Sequence, residues 1–404
     1  MSRRRFLQGL SMSAGAVGVG AFLAGPLAAA PARTEMNGRE VLVLGAGLAG
    51  LAAAWELADT GHDVTVLEAR TRPGGRVLTL RDPFADGLHA EAGAVAFSEG
   101  YTAANRYIDA LGLRRSPWAV PELAPLYHLR GERFAARAGE THPWPYELTP
   151  EERELGPVGI LARYVVDRLP PEIADPDAWS RPRLAELDHL SLADLMRSNG
   201  ASGGAVALIR DTQWFGAGIE TSSALSSAVT DIGLFGSGAP FLLAGGNDRL
   251  PHAMADRLSD RILYGVEVTA IRDRDDGVEV VASRDGRTEI HRADRAICTL
   301  PATVLRDVPV EPAPPAAQRE AIRGVTYLDT TRAFVQVRRG FWYDQGVTGS
   351  AATDLPVMQV SRQPFSDAGG PEQRSILESH VRGPAARRLA ARPEQEILDH
   401  LVRS

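Results

Sequence analysis

The run Gly45-Ala46-Gly47-Leu48-Ala49-Gly50 is a glycine pattern able to hold a pyrophosphate, and its neighbours decide whether it does so. Before it, Glu40 to Leu44 reads as a short buried strand. After it, Leu51 to Thr60 reads as a helix with Leu51, Ala54, Trp55 and Ala58 on one face. Gly61-His62 turns the chain, and Val64 to Leu67 is a second strand that ends in Glu68. This is a complete βαβ unit, and each residue type has a job in it. Gly45 permits the tight turn, Gly47 lets the backbone approach a diphosphate, and Gly50 lets helix and strand pack closely. The amides at the helix start, Leu48 and Ala49 among them, face the phosphates with the positive end of the helix dipole. Glu68 can accept from both hydroxyls of the adjoining ribose, and its charge repels a 2′-phosphate. A strand, a helix and an acid at these spacings distinguish the motif from a structural glycine turn.

The next stretch separates the possible dinucleotides. Glu68-Ala69-Arg70-Thr71-Arg72-Pro73-Gly74-Gly75-Arg76 sets two glycines between two arginines, a flexible loop with charges suited to an anion. It continues into Gly87-Leu88-His89-Ala90-Glu91-Ala92-Gly93-Ala94. Together these segments resemble the flavin amine oxidase family, which includes L-amino acid, polyamine and monoamine oxidases. The resemblance implies FAD, with Arg72, Gly74, Gly75 and Arg76 along its pyrophosphate and isoalloxazine, and Ala69 and Arg70 beside Glu68 in the cofactor set.

The resemblance runs on to about Trp342. Gly245 to Pro251 resembles the segment that starts a helix under the cofactor. Ile262 to Ile271 alternates as one strand, and the residue matching Val268 contacts the adenine through its backbone in relatives. Ala293 to Pro301 resembles the strand that ends beside the dinucleotide, and Thr331 to Val337 is a further strand. In many relatives a lysine stands ten residues before the tryptophan at Trp342 and holds a water near the flavin. Here that position is Arg332, the one residue that the resemblance nominates for catalysis. The family closes with a second FAD motif that is not seen before Ser404, so the last unit is expected to be shortened.

The expected architecture is α/β, a Rossmann-like FAD-binding domain carrying an inserted, mixed, mostly helical substrate-binding domain. The expected division is a leader at 1–32, FAD-binding parts at 38–95 and 241–305, and substrate-domain parts at 96–240 and 306–404. Helices are expected at Tyr101 to Leu111, Gly156 to Arg168, Leu192 to Asn199 and Pro393 to Ser404. Asp211 to Gly218, with Trp214 and Phe215, is either a substrate-channel lining or two aromatics in a core.

Composition removes several alternatives. All 44 basic residues are arginine, so no lysine nucleophile, pyridoxal Schiff base or P-loop lysine is available. A net charge of −7 leaves no footprint for nucleic acid. The single cysteine, Cys298, allows no intramolecular disulfide, and its apolar neighbours predict a small buried core residue. No metal site is expected. At the start, Ser2-Arg3-Arg4-Arg5-Phe6-Leu7 and a Gly/Ala-rich apolar stretch match a twin-arginine signal. Cleavage after Ala32 is favoured over cleavage after Ala30, and a membrane anchor is the alternative. The expected activity is FAD-dependent oxidation of an amine or amino acid to the imine with O2 reduced to H2O2, by a protein exported to the periplasm or outside the cell. The alternatives are a non-catalytic relative or partner subunit, and a flavin desaturase.

Overall fold

The computed structural model describes residues 38–118, 123–137, 140–174, 178–229, 238–363 and 370–403. The leader read at 1–32 lies outside the described residues.

A four-stranded parallel sheet forms the centre of the first unit. Its strands are β1 (Glu40–Leu44), β2 (Asp63–Glu68), β3 (Ile262–Tyr264) and β4 (Arg295–Cys298), in the order β3-β2-β1-β4. β1 pairs with β2 from Glu40↔Asp63 to Leu44↔Leu67, and with β4 from Val41↔Arg295 to Leu44↔Cys298. Val41 to Leu44 is apolar throughout because both faces of the sheet are covered. On one side Val43, Val64 and Val66 pack against helix α1 (Leu48–Asp59), through Leu51, Ala54 and Trp55, and against Leu250 and Met254 of helix α2 (Arg249–Arg257). On the other side Leu42, Leu44 and Leu67 meet Val266, Val268, Val278, Val280 and Ala282. Those last residues belong mainly to an antiparallel meander of Glu267–Arg274, Gly277–Arg284 and Arg287–Ala293.

A six-stranded mixed sheet forms the second centre. Its order is Thr330–Val337, Ser375–Arg382, Gln359–Gln363, Val347–Thr353, Ala124–Leu129 and Glu132–Ala135. The stretch read as mostly helical therefore also contributes two strands. Its helices, including Pro150–Tyr164, Leu192–Ser198 and Gly203–Thr212, bury Ile160, Leu161, Met196, Leu208 and Ile209 in one core with Tyr127 and Trp144. Thr149 and Glu152 start the first of these helices with a reciprocal capping box. That helix begins earlier than the sequence pattern predicts, and Gly156 kinks it at φ 60°.

Two expectations are corrected. Ile262 to Ile271 is not one strand: Gly265, at φ +72°, breaks it into β3 of the parallel sheet and the first strand of the meander. Cys298 is exposed rather than buried. It ends β4 at the open edge of the parallel sheet, where the apolar character of a strand does not guarantee cover. The helices expected at Tyr101 to Leu111, Leu192 to Asn199 and Pro393 to Ser404 are present as Thr102–Ala110, Leu192–Ser198 and Glu394–Arg403.

Candidate cofactor and active site

The turn after β1 separates its three glycines by physical role. Gly45 sits at φ +102°, a region that other residues rarely enter, and its amide donates to the Leu67 carbonyl at 2.8 Å. Gly50 packs so tightly that a Cβ there would lie 1.9 Å from the Gly45 carbonyl oxygen. Gly47 has neither reason to be glycine. Its φ of −72° suits any residue, and a Cβ there would meet no atom within 4 Å. The chain therefore keeps open space in front of Gly47, which begins α1 without any side-chain cap. The first-turn amides of Leu48 and Ala49 have no intrahelical acceptor. This is a cradle that fits a diphosphate resting on backbone N–H groups.

Glu68 holds the cradle in shape. Its buried carboxylate accepts from the Ala46 amide at 2.7 Å through Oε2 and from the Arg70 amide at 2.9 Å through Oε1. Each oxygen keeps a further lone pair for a sugar hydroxyl. The arginine loop closes over the same turn. The Gly74 amide donates to the Ala46 carbonyl at 2.8 Å, and Gly47 and Gly74 form a parallel bridge. Gly74 and Gly75 both have positive φ. Arg72 is spent inside this loop, donating to the carbonyls of Pro73 at 3.0 Å and Gly75 at 3.2 Å. Burial, with repulsion from Arg70, lowers its pKa. Arg76 is exposed, with its guanidinium 6.0 Å from the Tyr327 ring. Ala69 and Arg70 are exposed at the end of β2, and Val268 is buried in the meander beside a register shift that separates it from Ala270.

Two buried polar groups tie the segment that follows this loop to the start of α2. Asn247 donates to the carbonyls of Ala94 at 3.1 Å and Val95 at 3.0 Å, and accepts from the Leu243 amide at 3.0 Å. Glu91 accepts from Thr79 Oγ1 and from the Asn247 amide, both at 2.9 Å, and burial pushes its pKa up to about 7. Asp248, next in the chain, is paired with Arg81 at 2.8 Å.

Arg332 lies on the six-stranded sheet, where it docks on the cofactor half. Its Nε donates to Glu378 in a buried ion pair, and its Nη1 donates to the Gly93 carbonyl at 2.9 Å. Gln363 also donates to Glu378, while its own oxygen accepts from the Glu91 amide at 2.9 Å. Ladder pairing sets Arg332 opposite His380, and Ser361 opposite Glu378, on one polar face. Burial, with the charges of Arg382 and Arg332, lowers the His380 pKa to about 2, so the ring is neutral. Arg382 lies 5.5 Å from the Trp214 ring, while Phe215 is buried in the helical core. Glu91 enters the sequence analysis only as part of the Gly87 to Ala94 segment, and Gln363, Glu378 and His380 do not enter it. The alternation Glu378-Ser379-His380-Val381-Arg382 was the available signal, a strand with a charged face.

A profile of flavin-containing amine oxidoreductases matches residues 48–404. The chain belongs to that family. This oxidoreductase is 28% identical over 353 residues to a putative L-amino-acid oxidase, YobN, of Bacillus subtilis, covering 85% of this chain and 73% of that protein. It is 29% identical over 332 residues to the L-amino acid oxidase Bs29 of Bothriechis schlegelii, covering 80% of this chain and 65% of the relative. Among solved structures, a putrescine oxidase variant superimposes with a TM-score of 0.72 at 24% identity, covering 90% of this chain and 81% of the other. Cyclohexylamine oxidase from Brevibacterium oxydans gives 0.65 at 20%, covering 91% of this chain and 81% of that one.

Two outcomes follow for the oxidoreductase. Gly50→Ala should cost about 1–3 kcal/mol of stability, because its methyl group overlaps a backbone carbonyl. Gly47→Ala should change the stability of the cofactor-free protein by less than about 1 kcal/mol in either direction and act instead on cofactor affinity. Chemical denaturation of both variants checks the contrast. The second outcome concerns pH. The folded-state pKa of Glu91 is raised, so its contribution is complete below the ordinary value of 4.5 and is lost as pH rises through about 7. Melting curves should show the parent losing stability across that window relative to Glu91→Gln.

Proposed function

We propose that this oxidoreductase binds FAD in the cradle formed by Gly45, Gly47, Leu48, Ala49, Gly50, Glu68, Ala69, Arg70, Gly74, Gly75, Arg76 and Val268. In this reading it oxidises an amine or amino acid to the imine, with dioxygen reduced to hydrogen peroxide. The open space before Gly47, unexplained by the fold itself, is the observation that carries the assignment. FAD supplies the two-electron oxidation when bound.

The chain's own residues bind, orient and exclude water. The amides of Leu48 and Ala49 meet the diphosphate, and Glu68 meets the ribose while fixing the turn. The polar face of the six-stranded sheet forms the wall of the substrate site, with Arg332 as its donor. Burial beside Arg382 and Arg332 keeps the His380 ring neutral, and the Arg332 guanidinium offers donors and no acceptor. Neither takes a proton from the substrate, so the amine must enter in its neutral form.

Export fits the leader at 1–32, with cleavage after Ala32; N-terminal sequencing of secreted protein should begin at Arg33. No helix among the described residues is long and apolar enough to cross a membrane.

The purified chain should show a flavin absorption band and produce peroxide with at least one amine or L-amino acid in a panel. Gly47→Val should fold, remain colourless and lose the peroxide signal. A parent protein that takes up no FAD would leave the non-catalytic reading in its place.

A further inference from the structure

Arg332 has five N–H donors, and the structure accounts for them unevenly. Nε is taken by Glu378 and Nη1 by the Gly93 carbonyl, but Nη2 is buried without an acceptor among the described residues. The side chain is only 9% exposed and that of Glu378 only 2%, so bulk water does not serve either group. A buried donor left unpaired is costly, which makes Nη2 a place for a bound acceptor.

The surroundings restrict what that acceptor can be. Glu378 already places a carboxylate on the guanidinium and is itself held by Gln363 and Ser361 Oγ, the latter at 3.4 Å. His380 is neutral and lies 3.6 Å from Glu378 Oε1. The Arg332–Glu378 pair therefore carries no net charge, and the neighbouring Arg382 guanidinium is directed to His380 and the Gln359 side-chain oxygen. A second carboxylate at Nη2 would gain little from an arginine already neutralised and would face Glu378 at close range. A neutral oxygen or nitrogen acceptor meets no such repulsion.

We infer that Glu378 is a positioning and specificity-determining residue: it fixes Arg332 so that Nη2 offers one N–H to a neutral acceptor, and it bars Arg332 from binding a ligand carboxylate. This rests on the reading that the polar face lines the substrate site. It also gives Gln363 a role, because the same side chain ties Glu378 to the Glu91 amide and so fixes the pair relative to the cofactor half.

Ligand-induced changes in the flavin spectrum of the holoenzyme test the inference, with benzamide as the neutral probe and benzoate as the anionic one. In the parent, benzamide should bind at least as tightly as benzoate. In Glu378→Gln, benzoate should bind at least about tenfold more tightly than in the parent while benzamide changes little. Arg332→Gln/Glu378→Gln, which removes both charges, should abolish that gain. A role limited to holding the fold together predicts loss of binding in Glu378→Gln, never a gain for one charge type. A folded Glu378→Gln with unchanged benzoate affinity would overturn the inference. If that variant does not fold, the parent decides alone: a benzoate preference of about tenfold over benzamide that disappears in Arg332→Gln would be equally contrary. Spectral shifts with benzamide show that the probe reaches the flavin site, so failure of the Glu378 inference stays distinct from failure of the site assignment.

Discussion

The carboxylate of Glu68, held between the amides of Ala46 and Arg70, is the interaction on which the rest depends. It joins the turn after β1 to the end of β2, and so sets the distance between the helix start and the arginine loop. A buried carboxylate is tolerated there because charge-assisted bonds from two backbone amides replace its hydration. Once that turn is fixed, Gly74 docks on Ala46 and Gly93 packs over the Arg76 carbonyl. The open space before Gly47 has no role within the fold.

The six-stranded sheet reaches the Glu91 and Gly93 segment through polar contacts. Gln363 and Arg332 span from the six-stranded sheet to Glu91 and Gly93. Each contact joins segments more than two hundred residues apart, and all of them converge on Glu378 or Glu91. Such a buried network is stable only when its members are satisfied. Within this network, among the described residues, Arg332 Nη2 is the donor left open.

The cradle was legible because its chemistry is local: a strand, a glycine turn, a helix and an acid at fixed spacing each leave a mark in a few consecutive residues. Arg332 was legible only through resemblance, and its partner was not legible at all. Glu378 pairs with it across a strand ladder whose register no local period reveals. Gly265 shows how one residue at positive φ divides an alternating run that otherwise reads as a single strand. Cys298 shows the converse, since burial of an apolar run depends on what lies beyond the sheet edge. Domain division and export remain readings of the sequence, the latter resting on residues outside those described.

The most direct measurement is the FAD dissociation constant of cofactor-free Glu68→Gln, read by quenching of flavin fluorescence beside the parent. The neutral amide cannot accept from two backbone amides and two hydroxyls as the carboxylate does. The account predicts a folded variant whose affinity for FAD is lower by about tenfold or more. A folded variant that holds FAD as firmly as the parent would contradict it.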